Sequence, residues 1–354
     1  MKLIHCADLH LDSPMGTHMT MQQASARNTQ ITDSFLRLTD FARENGVRAV
    51  IIAGDLFDGT RVRSRTVDEI LAAMERTPEV DYLYLPGNHD GAARAFSDRV
   101  LPENLKQFST DWTTFCYENT AISGVQLCAD NGETIYENVP HVPGCVNIAV
   151  LHGQAGTVSG ENRVNLNALK GRGIDYLALG HIHSFTLQPL DEKGVYCYCG
   201  CLEGRGFDEL GDRGFLYGDI GPGTAELRFV AFARRRYRIW EADVTDGGPL
   251  AAVERLLPQD TAEDICRLRL VGTPEEPVRL PLLQQSLEGR FFALQLRDET
   301  TVRREIWDKC GEDTLRGLFL QELRREYDGG DDETRRRIEL AARFGVAAMD
   351  NREV

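Results

Sequence analysis

Five short apolar runs, each closed by Asp, Asn or His, constrain this chain more than any bulk property does. They are "KLIHCADLH" (2–10), "RAVIIAGD" (48–55), "DYLYLPGNHD" (81–90), "VNIAVLHGQ" (146–154) and "IDYLALGHIH" (174–183). An unbroken apolar run of this length reads as a strand covered on both faces. Polar residues at its end place the chemistry at the strand tip. Helical patterns separate the first three runs. Ile31, Phe35, Leu38 and Phe41 predict a helix over 28–45 with Gly46 as its stop. Thr66 and Glu69 have capping-box spacing ahead of an apolar stripe of Val67, Ile70, Leu71 and Met74. This rhythm predicts a layered α/β domain whose strand C-terminal ends converge on one rim.

The rim would gather Asp8-x-His10, Gly54-Asp55, Gly87-Asn88-His89-Asp90, His152-Gly153 and Gly180-His181-x-His183, with five of the eight histidines. A lone Asp-x-His is more often a capped turn than a ligand pair; five such tips on one rim form a ligand set. Carboxylates, one amide and several imidazoles suit two divalent ions of hard-to-borderline character such as Mn²⁺. Strand residues i and i+2 lie about 6.5–7 Å apart, and paired ions in hydrolases about 3.5–4 Å apart. His181 and His183 could therefore straddle two ions, with an anion such as Asp55 between them. The glycines beside these residues permit tight turns and leave room for substrate.

After about residue 220 the grammar changes. Residues 234–245, 265–272 and 290–298 read as strands, alternating with helices over 249–257 and 279–288. The expected domains are 1–225, a small α+β unit over 226–299, and a charged helical region over 300–354 broken at "DGGDDE". The net charge of −15 lies mainly in the first 225 residues and argues against unaided adhesion to nucleic acid. A solvated acidic surface accounts for most of those carboxylates. Nothing approaches the about 18 apolar residues of a membrane span, and the N-terminus does not read as a signal peptide. Nine cysteines without framework spacing fit reduced thiols. The expected location is the cytoplasm.

The ordered set DLH, GDLFD, GNHD, HG and GHIH resembles the calcineurin-like metallophosphoesterase superfamily. Within it, "IHCADLHLDSP" and "CGCLEGRGFDELGDRGF" are similar to the SbcD-like DNA repair exonucleases, nearest to their YhaO-like branch. The resemblance implies a layered calcineurin-like β-sandwich flanked by helices, with residues 1–225 as nuclease domain and 226–299 as a small capping domain. It assigns Asp8, His10 and His183 to one ion, Asn88, His152 and His181 to the other, and Asp55 to both. The two ions are expected to be Mn²⁺, with Mg²⁺ as the alternative. His89 is the non-ligand imidazole near the scissile phosphate, which hydroxide attacks in line with the departing oxygen. Asp58 stands where some members carry a second catalytic histidine, which leaves histidine-based proton delivery to His89.

The implied activity is hydrolysis of DNA phosphodiester bonds by the nuclease subunit of an SbcCD-like complex, as a homodimer with an SMC-like (SbcC-type) ATPase. One alternative is a phosphomonoesterase or small-molecule phosphodiesterase with the same dinuclear site. Another is an interaction subunit that mainly holds an ATPase at DNA. The candidate docking residues are Ile306, Leu315, Leu318, Phe319 and Leu323. Cys197, Cys199 and Cys201 sit too far apart on a strand face for one zinc ion and read as packed thiols. His5 reads as a sheet histidine, and His18 and His141 fall outside the motifs. Arg234, Arg235, Arg236 and Arg238 with Tyr237 and Trp240 suit either a phosphate backbone or a charged edge strand.

Overall fold

The computed structural model describes residues 1–15, 19–59, 62–90, 96–221, 224–301 and 305–349. It divides into two compact units, Met1–Arg236 and Tyr237–Val354. The first unit opens with β1 (Lys2–Cys6), α1 (Met21–Glu44), β2 (Ala49–Ala53), α2 (Ser64–Glu75), β3 (Asp81–Leu85) and β4 (Leu105–Gln107). Then come β5 (Thr113–Tyr117), β6 (Thr120–Gly124), β7 (Val146–His152), β8 (Gln154–Gly156), β9 (Arg163–Asn165) and α3 (Leu166–Leu169). The unit closes with β10 (Tyr176–Gly180), β11 (Thr186–Pro189), β12 (Val195–Tyr198), β13 (Gly214–Gly221) and β14 (Thr224–Ala231).

Two six-stranded sheets result, in the orders β14-β13-β1-β2-β3-β4 and β11-β12-β10-β7-β6-β5. The five apolar runs form the centres of both: β1, β2 and β3 run parallel in one, β7 and β10 in the other. Alternate residues of each run face opposite ways, which explains why the runs are apolar throughout. Leu3, Ile51, Ala53 and Leu83 meet Ile148, Val150 and Ala178 in the layer between the sheets. Ile4, Val50, Ile52 and Tyr82 turn outward against Phe35 and Leu38 of α1 and Ile70 and Met74 of α2. The α/β sandwich expected from sequence is the architecture found.

Two local expectations are corrected. Helix α1 starts at Met21, because Thr20 and Gln23 form a reciprocal capping box ahead of two polar turns that carry no apolar stripe. Helix α2 starts at Ser64, which places Thr66 inside it, where its hydroxyl donates to Asp12 Oδ1 at 3.0 Å instead of capping. The first unit runs to Arg236, and in it β14 pairs with β13 along its whole length.

The second unit contains β15 (Tyr237–Asp243), α4 (Pro249–Leu256), β16 (Ile265–Val271), α5 (Leu280–Ser286) and β17 (Ala293–Asp298). Its three strands are parallel around β16, as the alternating pattern implied. Residues 300–349 fall within this unit. Helices α6 (Glu305–Asp308), α7 (Leu315–Gly329) and α8 (Asp332–Met349) follow, and buried Arg343 of α8 donates to Thr300 Oγ1 at 2.6 Å. Among the described residues no helix is long and apolar enough to cross a membrane.

The arginine stripe serves structure. Arg235 is buried and donates to Gln30 Oε1 at 2.7 Å, while Arg238 pairs with buried Asp264 at 2.8 Å. Cys197, Cys199 and Cys201 are buried free thiols. His5 is buried with Nδ1 2.7 Å from the Tyr176 hydroxyl, and burial lowers its pKa to about 3. His141 packs under Gly173, and His18 lies outside the described residues.

Candidate metal centre

The tips of β1, β2, β3, β7 and β10 carry the polar motifs to one place. Asp55 Oδ2 lies 3.6 Å from His10 Nε2 and 3.4 Å from His152 Nε2. Asn88 Oδ1 lies 3.0 Å from His152 Nε2 and 3.2 Å from His181 Nδ1. His10 Nε2 faces His183 Nε2 at 3.2 Å. Asp8 takes the His181 peptide N–H on both oxygens, at 2.9 and 3.1 Å. All seven expected ligands, Asp8, His10, Asp55, Asn88, His152, His181 and His183, are thus brought together.

The backbone bends hard to do this. Asp8 (φ 53°), His10 (φ 46°), Asp55 (φ 53°) and His181 (φ 100°) all lie at positive φ. Such strain persists only where the surroundings over-determine it, and it clusters at functional sites. Two glycines are required by close approach. A Cβ on Gly54 would sit 2.0 Å from His152 Nδ1, and one on Gly87 would sit 2.2 Å from Asp55 Oδ1.

The donor chemistry calls for cations. His152 Nδ1 faces the Ala53 carbonyl at 2.9 Å, and His183 Nδ1 faces Glu209 Oε1 at 2.5 Å. With those protons committed outward, each ring turns its Nε2 lone pair inward, that of His152 towards Asp55 and Asn88 oxygens that also only accept and that of His183 towards His10 Nε2. Among the described residues, four groups of three His, Cys, Asp or Glu donors could each hold one ion, including Asp8-His10-His183 and Asp8-Asp55-His152. The residues fit a dinuclear divalent site.

The electrostatics agree. Burial disfavours a charged His152 ring, but Asp55, Asp8 and the Ala53 carbonyl outweigh it and hold its pKa up at about 9. Burial lifts the Asp8 carboxyl to about 6 against the pull of His152 and His183. Asp55 is also buried, yet hydrogen bonding and charge from its histidine neighbours bring it down to about 2. Positive charge is stabilised between these carboxylates, as a proton on His152 or as metal.

His89 follows Asn88 but projects outward, its side chain 52% exposed, with Nδ1 3.3 Å from Asp58 Oδ1. Ser13 Oγ donates to Asp58 Oδ2 at 2.6 Å, and Arg205 Nη1 donates to Ser13 Oγ at 3.0 Å. Asp90 accepts the peptide N–H of Phe57 at 2.7 Å and of Gly87 at 2.9 Å, tying the β2 and β3 tips together.

Glu209 and Arg205 are the residues that motif reading missed. They lie in "CLEGRGFDE", which offered no ligand spacing. That segment is pinned by a buried ion pair, Arg27 Nη2 to Glu203 Oε2 at 2.6 Å. The Glu209 carboxylate takes the His183 ring proton and the Arg205 peptide N–H, and it falls to about 2 because these contacts outweigh its burial. Neighbouring Cys201 is raised by burial and stays a thiol, hence a poor ligand. Glu209→Gln is expected to weaken divalent-ion binding by about 10–100-fold, as loss of an orienting partner does. Calorimetric titration with Mn²⁺ checks this; unchanged affinity would make the contact incidental.

A family model described as calcineurin-like phosphoesterase matches residues 1–185. The chain belongs to the calcineurin-like phosphoesterase family. It is therefore a metal-dependent phosphoesterase, of a fold that uses a dinuclear metal site. Its similarity extends further to single proteins. It is 28% identical over 333 residues to a metallophosphoesterase called YhaO from Bacillus subtilis (strain 168), itself uncharacterised, covering 86% of this chain and 79% of that one. It is 27% identical over 265 residues to a DNA double-strand break repair protein, Mre11, of Methanopyrus kandleri, covering 65% of this chain and 56% of that one. A second Mre11, from Sulfolobus acidocaldarius, is 26% identical over 313 residues, covering 82% and 79%.

Proposed function

We propose that this calcineurin-like phosphoesterase is a two-metal DNA repair nuclease that hydrolyses phosphodiester bonds. The observation that supports this most is the convergence of seven donors from both sheets beside an exposed imidazole that is not among them. Asp8, His10 and His183 would hold one ion, Asn88, His152 and His181 the other, with Asp55 shared; Mn²⁺ suits so many imidazoles better than Mg²⁺ does. The ions, when bound, activate water and offset charge developing on the phosphate. Asp58 orients His89 through Nδ1, which leaves Nε2 to give a proton to the leaving oxygen. The similarity to double-strand break repair proteins favours DNA over a small ester. Purified protein with Mn²⁺ or Mg²⁺ should cleave end-labelled duplex, hairpin or circular single-stranded DNA. Turnover of a small phosphate ester with all three DNAs left intact would overturn the reading.

An acidic chain attracts duplex poorly, since affinity comes largely from neutralised phosphates. DNA would therefore be presented by a partner, an SMC-like ATPase, to a dimer of this chain. Of the five candidate docking residues, Leu315 and Leu318 stand out, 75% and 59% exposed. Ile306, Phe319 and Leu323 are half-buried, and Phe319 packs over Gly345 of α8. Because residues 300–349 are part of the second unit, point changes test the surface better than truncation does. The double variant Leu315→Asp, Leu318→Asp should keep its Mn²⁺ content and lose co-purification with the ATPase. Undiminished association would move the docking surface elsewhere.

A further inference from the structure

Beside the metal centre lies a cleft of about 480 Å³ lined by Gln154, Thr157, Glu161, Asn162, Arg163 and His181, among others. Its floor grows directly out of the site. His152 ends β7, and two residues later Gln154 opens β8, which pairs in parallel with β9 so that Gln154 stands opposite Arg163. Val164 turns the other way and is fully buried, which anchors the ribbon to the sheet beneath. Tyrosine hydroxyls brace it: Tyr198 donates to the Gly153 carbonyl at 2.8 Å and accepts the Ala155 N–H at 2.7 Å. Tyr136 accepts the Asn165 N–H at 2.9 Å. The ribbon is thus fixed relative to His152.

What lines this cleft selects its ligand. Apart from the His181 imidazole, which belongs to the metal centre, the lining offers no aromatic ring as a stacking platform for a base. Gln, Thr, Asn and Arg are instead the side chains that contact the sugar–phosphate backbone. The Arg163 guanidinium is exposed, and among the described residues no acid pairs with it. An arginine without a counter-ion at the edge of a metal centre is suited to a phosphate. Glu161 lies on the same rim and opposes further anionic charge. With Arg163 as its unpaired cation, the cleft is charged for one additional phosphate and not for a long run.

We propose that this cleft is a sequence-neutral subsite for the phosphate next to the scissile one, with Arg163 as its cation and Gln154 and Asn162 as neutral donors. The proposal rests on the nuclease reading and adds that the preferred substrate carries at least two phosphates. The test compares a dinucleoside monophosphate, which has only the scissile phosphate, with dinucleotides extended by a phosphate at either end. Wild-type protein with Mn²⁺ should favour one extended substrate in kcat/KM by about tenfold, the size of one charge-assisted contact. Arg163→Ala should bring that ratio towards one, and Arg163→Lys should restore part of it. The extended substrate should also show a salt slope reduced by about 0.7 in R163A, the share of one phosphate on a single strand. A direct binding measurement in Ca²⁺ with a non-hydrolysable extended analogue should follow the same order. An R163A ratio equal to the wild-type preference, or no wild-type preference, overturns the subsite while leaving the nuclease reading standing. Failure of wild type to hydrolyse any of these substrates sinks both.

Discussion

Asp55→Ala is expected to bind neither ion and to lose turnover altogether. One Asp55 oxygen lies 3.6 Å from His10 and 3.4 Å from His152, which the proposed assignment gives to different ions. Removing it takes negative charge from both ions at once. Partners that merely orient a ligand cost about 10–100-fold in affinity or activity when lost, so a carboxylate shared by two ions should cost more. Alanine also fits poorly at φ 53°, whereas Asn tolerates that left-handed region. Asp55→Asn therefore separates lost charge from backbone strain, and both variants should fail alike. Metal analysis alongside phosphodiesterase rates decides this. One equivalent or more of Mn²⁺ retained in the Asp55→Asn protein would remove Asp55 from the shared position.

The second large effect is at His89. Alanine there should leave the metal content unchanged and lower the rate about 10²–10⁴-fold, the usual worth of a positioned proton donor. The geometry supplies the reason: His89 neighbours Asn88 in the chain, yet its ring meets Asp58 at 3.3 Å and is half exposed. Substrates with a better leaving group need less proton donation, so they should be hurt less. Loss of metal in step with loss of activity would instead make His89 a ligand or a structural residue.

The tips of the five strands were legible because covered strands force an apolar run and the chemistry must follow where it stops. The same physics hid their shape. Nothing in "ADLH" or "GDLF" announces that Asp8, His10 and Asp55 adopt positive φ, since that comes from the two sheets closing on them. Periodicity missed the first turns of α1 because "MQQASAR" buries no apolar stripe; the Thr20–Gln23 box alone marks that start. The membership of β14 in the first sheet comes from pairing, which no composition shift records. Glu209 was invisible for another reason. It touches His183 from 26 residues away, through a segment whose place depends on Arg27 and Glu203, both buried.

Sequence distance gives the centre a further meaning. His10 and His183 lie 173 residues apart, and His152 and Asn88 lie 64 apart, yet their ring and amide atoms are neighbours. Under the proposed assignment neither ion's donors all lie in one sheet. The donors come together only where both sheets are docked, across long loop closures. An ion that recognises this arrangement meets nothing comparable in the unfolded chain, so its binding free energy is added to the stability of the whole sandwich. At a hundredfold excess over its dissociation constant, each such ion contributes about 2.7 kcal/mol. The site is thus also a clasp, whose hold on the two sheets rises and falls with the free metal around it.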